Sequence, residues 1–295
     1  MSVTSSTKPL EQHDAKRSFN LAGIWDRFGM LIVFAGLFIL CALFVPYFAT
    51  FSNMKGLGLA ISMSGMVACA MLFCLACGDL DLSVASIIAC SGVVTAVAIN
   101  ATSSLVLGIG AGLLSGAAFG LLNGFVIAKL QINALITTLA TMQIARGLGY
   151  IISDGRAVGI TEEKFFALGN SSILGVPTPI WLTMITFALF AFLLNCTVYG
   201  RNTLAIGGNE EAARLAGVNV VKTKMIIFTV SGLISALAGV ILAARMTSGQ
   251  PMTSVGFELV VISACVLGGV SLKGGIGKVS YVIAGVLILG TVENA

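Results

Sequence analysis

Residues 105–128 read LVLGIGAGLLSGAAFGLLNGFVIA, without a single Asp, Glu, Lys or Arg. At a rise of about 1.5 Å per residue, a helix of that length measures about 36 Å, more than the roughly 30 Å of bilayer hydrocarbon. Gly108, Gly112, Gly116, Gly120 and Gly124 recur at every fourth position and so line one helix face. In a soluble helix each would cost about 1 kcal/mol relative to Ala. In lipid, where helices gain nothing from apolar attraction, such a stripe lets a second backbone approach and supplies dispersion contact. The stretch therefore reads as a membrane helix packed inside a bundle.

The rest of the chain agrees. Of 295 residues, 57% are hydrophobic and 9% charged, with a mean hydropathy of +1.03, against about 25% charged in an ordinary soluble domain. Apolar spans fall near 28–48, 57–77, 84–100, 105–128, 132–152, 180–196, 225–244, 257–272 and 279–292. The expected fold is all-α, a polytopic transmembrane bundle of about nine spans, with the last two either crossing or folding back as re-entrant or broken helices. Residues 1–27 form a polar tail, and the first apolar run is too long for a signal-peptide core. Residues 28–295 form the membrane domain. Ser231, Ser235, Gly239 and Ala243 repeat the small-residue spacing on the seventh span.

Charge sets the direction. With the N-terminus in the cytoplasm, the inner side holds Lys8, Lys16, Arg17, Arg27, Lys129, Arg201, Arg214, Lys222, Lys224, Lys273 and Lys278. The outer side holds Lys55, Arg156, Lys164 and Arg245, and Arg146 lies within a span. That asymmetry obeys the positive-inside rule. Parity then leaves Ala295 outside, which leads to the expectation of a tenth span.

Several chemistries are disfavoured. The net charge of +4 is dispersed through loops, with no aromatic-interleaved basic patch for nucleic acid. The seven cysteines lie in or beside apolar runs without a neighbouring His, so no metal site is expected, and Cys74 and Cys77 read as packing residues. The single histidine, His13, lies in the tail, which leaves no Ser-His-Asp set and no catalytic residues. Gly277-Lys278 is followed by Val279 and preceded by Leu272 where a P-loop needs its first glycine.

The loop 197–224 carries the most specific signal. Within it, residues 207–218 read GGNEEAARLAGV. Asn209 is suited to N-cap a short helix, Glu210 and Glu211 to sit in its first turn, and Gly217 to end it in the left-handed region. Glu210 and Arg214 are spaced to pair across one turn. A capped two-turn helix covered by Ala212 and Ala213 reads as a docking element, since its apolar face is too weak for strong membrane insertion.

Glu211-Ala212-Ala213 followed after three residues by Gly217 resembles the EAA signature of ABC importer permeases. Other motifs narrow the likeness: Gly78-Asp79-Leu80-Asp81-Leu82-Ser83, the run from Asn133 to Thr141, Gly200-Arg201-Asn202-Thr203, and the run from Leu267 to Gly277. All are similar to the ribose, xylose, arabinose and galactoside permease family, from about Trp25 to the end. The stretch from Met54 to Cys77 and the ending at residues 290–295 most resemble its arabinose members. The resemblance implies a permease subunit in the bacterial inner membrane that translocates a monosaccharide, L-arabinose in that branch. It also implies a homodimer, a separate ATPase that binds ATP and Mg²⁺, and a periplasmic sugar-binding protein. Glu210, Glu211, Ala212, Ala213, Arg214 and Gly217 would form the coupling element. The family continues with a further helix and a basic tail, in keeping with the parity expectation.

Polar groups within spans are costly in lipid and mark candidate positions on a sugar path. Asn133, Thr137 and Thr141 share a face, although threonine hydroxyls also bond back to their own helix. Asp79 and Asp81 sit in the break after the second span; Asp81 and Ser83 are suited to cap the next helix, and the two carboxylates to form a gate. Arg146 needs a carboxylate, a carbonyl or water, with Glu258 and Glu293 as possible partners. An ion-coupled secondary carrier is the alternative, but it would need a carboxylate at mid-membrane, whereas the acids lie mainly at span ends.

Overall fold

A computed structural model describes the backbone of residues 21–295 and the side chains of residues 29–295; of the polar tail expected at 1–27, residues 1–20 lie outside the described residues, and 21–27 belong to the first helix. Twelve helices follow in order: α1 (Leu21–Phe44), α2 (Phe51–Ala76), α3 (Val84–Thr102), α4 (Leu105–Ala128), α5 (Ala134–Ile152), α6 (Glu163–Asn170), α7 (Thr178–Cys196), α8 (Val198–Gly208), α9 (Glu210–Leu215), α10 (Val220–Met246), α11 (Phe257–Gly268) and α12 (Val279–Asn294). Six of them, α2 to α5, α7 and α10, are long and apolar enough to cross a membrane, and the Gly29–Phe44 part of α1, α11 and α12 are shorter apolar stretches. The nine apolar segments of the sequence are thus nine helices among the described residues.

The sequence supplies the start signals. The Thr50, Ser104, Asn133, Thr197, Asn209 and Asn219 side chains accept bonds from first-turn N–H groups of α2, α4, α5, α8, α9 and α10. These satisfy donors that a helix end leaves orphaned. Asn219 starts α10 five residues earlier than the span expected at 225, so Lys222 and Lys224 lie on its first turns and not in a loop.

Helices α2, α3 and α10 are buried over most of their length and form the centre, while α4, α5 and α7 present broad apolar faces outward. The glycine stripe of α4 is buried, as expected, and packs on α10 and α3. A Cβ on Gly116 would lie 2.5 Å from the Gly232 carbonyl oxygen, and one on Gly124 2.8 Å from Met225 Cα. The opposing α10 face runs through Met225, Phe228, Gly232 and Ala236, one position from the Ser231, Ser235, Gly239 and Ala243 stripe. That second stripe is also buried: Ser231 meets the break after α2, and Gly239 lies against Ile88 of α3.

Two small antiparallel pairs close the end opposite α9. β1 (Val158–Gly159) pairs with β4 (Ser248–Gly249), and β2 (Ser172–Ile173) pairs with β3 (Val176–Pro177). Leu174 and Gly175, at φ 55° and 78°, form the two-residue turn between β2 and β3.

The α11 region takes the broken-helix form. Its 12 residues measure about 18 Å, short of a roughly 30 Å hydrocarbon layer. Irregular backbone at 250–256 completes the run, and Arg146 Nη1 donates to the Pro251 and Thr253 carbonyls at 2.8 and 2.7 Å. Arg146 therefore bonds carbonyls. No ion pair to Glu258 or Glu293 exists among the described residues.

Candidate functional site

The helix α9 forms as its sequence dictates. Asn209 Oδ1 accepts from the Ala212 N–H at 2.9 Å, and Glu210 and Glu211 occupy the first turn. At the other end Gly217 takes φ +86°, while the Val218 N–H donates to the Ala213 carbonyl at 3.0 Å. A left-handed residue there lets the chain leave while capping a free carbonyl, which suits glycine. Only Ala213 is buried; Glu210, Glu211, Ala212, Arg214, Leu215 and Gly217 are exposed. The result is a rigid, capped projection.

Its ion pairs differ from the i, i+4 expectation. Arg214 Nη2 pairs with Glu211 Oε2 at 2.5 Å, one turn back on the open surface. Glu210 instead meets Lys224 of α10, Oε2 to Nζ at 3.0 Å. The same ammonium lies 3.0 Å from Asp79 Oδ2 in the break between α2 and α3. The Lys224 and Asp79 side chains are only 12% and 14% exposed, whereas Glu210 is 56% exposed. A shielded ammonium requires acceptors, and two carboxylates from two other elements converge on it. Burial pushes the Asp79 carboxyl above the usual carboxylate range, and the Lys224 ammonium opposes that shift. A polar cleft of about 280 Å³ adjoins the triad, lined also by Gln131, Asn133 and Arg214.

A second joint is made of backbone. Gly207 near the end of α8 packs against the Ala76 carbonyl at the end of α2, and the Gly275 N–H donates to that carbonyl at 2.9 Å. Any Cβ on Gly207 would collide with Ala76 O and lie 2.5 Å from Gly275 N. Gly274 and Gly275 both have positive φ, which forms the tight turn expected around Lys273.

Beyond Asp79 the break enters the bundle interior. Asp81 is fully buried; its Oδ1 accepts from Ser83 N at 3.0 Å and Ser83 Oγ at 2.6 Å, and its Oδ2 accepts from Ser231 Oγ at 2.7 Å. Ser83 stands at the N-cap position of α3 without making a side-chain capping bond, because its hydroxyl is turned to Asp81. Asn123 Nδ2 donates to Ser83 Oγ at 3.0 Å, and Thr141 Oγ1 donates to Asn123 Oδ1 at 2.6 Å. One buried chain thus joins α10, the break, α4 and α5.

The other sequence candidates separate. Asn133 caps α5, and Thr137 Oγ1 donates back to the Asn133 carbonyl at 3.0 Å, the local alternative left open for a threonine. Thr141 alone of that trio joins the buried chain. Arg146 and half-buried Glu258 lie apart, towards the end opposite α9. Asn123, Ser231 and Lys224 were not singled out as site residues by the sequence reading. An amide in the apolar α4 was the available signal for Asn123; Lys224 looked like one more loop cation. No group of three metal-ligating side chains exists among the described residues.

Comparison with known proteins gives a consistent picture. The family described as the permease component of the branched-chain amino acid transport system matches residues 53–295. The L-arabinose transport system permease protein AraH of Escherichia coli (strain K12) is 75% identical over 280 residues, 95% of this chain and 85% of the relative. The L-arabinose ABC transporter permease protein AraH of Azospirillum brasilense is 53% identical over 276 residues, 92% and 81% of the two chains. The ribose import permease protein RbsC of Haemophilus influenzae is 38% identical over 254 residues, 85% and 79%. No solved structure matches the chain.

Proposed function

Since the chain belongs to the permease-component family of these bacterial transport systems, we propose that it carries L-arabinose through the inner membrane as the membrane-spanning subunit of an ABC importer. It is a transport permease, not an enzyme, and works with an ATPase subunit and a substrate-binding protein. L-arabinose rests on the two arabinose relatives at 75% and 53% identity, against 38% for the ribose relative. Two copies would enclose the path, the N-terminus and α9 would face the cytoplasm, and the partner ATPase would hold ATP and Mg²⁺.

The observation that carries the mechanism is α9, a capped helix exposed on all but one side and fixed at both ends of its connection. ATP-driven closure of two ATPases would displace this projection as a rigid lever, and rocking of the bundle would switch access to the sugar. Glu211, Ala212 and Arg214 form its outer face, and Gly217 sets its end.

Reconstitution of the intact permease with its ATPase and binding protein, followed by uptake of labelled L-arabinose, tests this reading. Uptake should require ATP. Gly217→Pro should abolish it, since proline cannot adopt φ +86° and has no N–H for the Arg214 carbonyl. Uptake driven by a proton gradient without ATP would overturn the proposal.

A further inference from the structure

Lys224 binds two structures with different tasks. Through Glu210 it holds the exposed α9, and through Asp79 it holds the break between α2 and α3, each at 3.0 Å. Two residues along that break, Asp81 anchors the buried chain through Ser83 and Asn123 to Thr141 and, separately, through Ser231 to α10. Residues 77–83 are therefore gripped by α10 at two points, by Lys224, which also holds α9, and by Ser231, and by α4 and α5 through the chain from Ser83.

The neighbouring joint explains why the grip is needed. Gly207, Ala76 and Gly275 pack backbone against backbone and hold the end of α8, while α9 itself buries only Ala213, so its polar hold comes from elsewhere. The ammonium supplies that hold. Shielding strengthens the Lys224–Asp79 arm, where loss of one partner leaves an uncompensated charge, while half-exposed Glu210 makes the arm to α9 the one that water can exchange.

We propose that the α2–α3 break is the element that passes displacement of α9 into α4 and α5, and that Lys224, at the start of α10, is its positioning residue. This rests on the importer reading above. Displacing α9 moves the Lys224 end of α10 together with Asp79, and the chain from Asp81 through Ser83 then shifts α4 and α5. Coupling of this kind requires an element that both sites bias, and residues 77–83 meet that geometry.

The test uses the reconstituted importer and reads two quantities: uptake per ATP hydrolysed, and co-purification of the ATPase. Lys224→Met should lower uptake per ATP by about tenfold while the ATPase still co-purifies, a size usual for coupling between sites. Lys224→Arg should restore the ratio to within about twofold by keeping the charge. Asp79→Asn should behave as Lys224→Met does, and the double variant should be no worse than either, because the two act through one link. A wild-type ratio in Lys224→Met overturns the proposal, as does loss of ATPase binding in both Lys224 variants, which would mark a merely structural residue. Failure of the wild-type importer to couple ATP to uptake would instead strike the importer reading, and this proposal with it.

Discussion

Asp81 shows how much one buried carboxylate organises. Both oxygens are occupied by neutral donors, Ser83 N, Ser83 Oγ and Ser231 Oγ, and no cation among the described residues pairs with it. Its structural role is therefore that of an acceptor. Asp81→Asn keeps one acceptor oxygen and presents an amide to Ser231, whose hydroxyl can rotate to accept, so this variant should unfold in detergent near the wild-type temperature. Asp81→Leu leaves those donors without a partner, each at about 1–3 kcal/mol, and should melt well below wild type. Equal damage from both variants in a detergent melt would assign the role to the charge. The residues that converge here come from positions 81, 83, 123, 141 and 231, and no local period connects them. Sequence spacing brought out Asp81 and Thr141, each on its own segment. Asn123 between them had no partner visible along the chain, since a hydrogen bond across helices depends on rotation that only packing sets.

At the scale of elements, the α4–α10 crossing follows directly from composition. Five glycines on one face foretold a close approach, and the backbone of α10 lies against Gly116, Gly120 and Gly124 while α3 meets Gly108 and Gly112. Position within the helix decides the effect of a methyl group. Gly110 faces open space, with nothing within 4 Å of an added Cβ, so Gly110→Ala should stabilise slightly by restricting the unfolded chain. At Gly120 the same methyl would collide with the Phe228 carbonyl and lie 2.9 Å from Thr229 Cα. Gly120→Ala should therefore destabilise by about 1–3 kcal/mol as overpacking. Opposite shifts in detergent melting temperature are expected, and like-signed shifts would count against close packing at this face. The partner face was less evident, because α10 carries two small-residue rows one position apart. The row named from the sequence serves α3 and the break, while Gly232 and Ala236 meet α4. Periodicity identifies a stripe but not which neighbour covers it.

For the whole molecule, the two ends differ in charge and construction, and that difference predicts orientation. Lys129, Arg201, Arg214, Lys222, Lys224, Lys273 and Lys278 gather at the α9 end, while Lys55, Arg156, Lys164 and Arg245 lie towards the end closed by the small strand pairs. Hydropathy located the nine apolar helices because lipid imposes their length. It located poorly what lies between them: α8 and the early start of α10 are built on the Thr197 and Asn219 caps, and the eight-residue α6, without a side-chain cap, on the packing of Phe165 against α10. Orientation is where the legible part can be checked as a unit. Leu215 on α9 is 81% exposed and Leu174 in the β2–β3 turn is 89% exposed, so a cysteine at either should accept a reagent without disturbing the core. In a variant without the native cysteines, Leu174→Cys should react with a membrane-impermeant maleimide in right-side-out vesicles, and Leu215→Cys only in inverted ones. The excess of cations at the α9 end favours that outcome, since basic loops stay on the cytoplasmic side. Reaction of both from the same side would refute the fold as a membrane-crossing bundle. The reverse pattern would keep the fold and remove α9 from reach of any cytoplasmic ATPase.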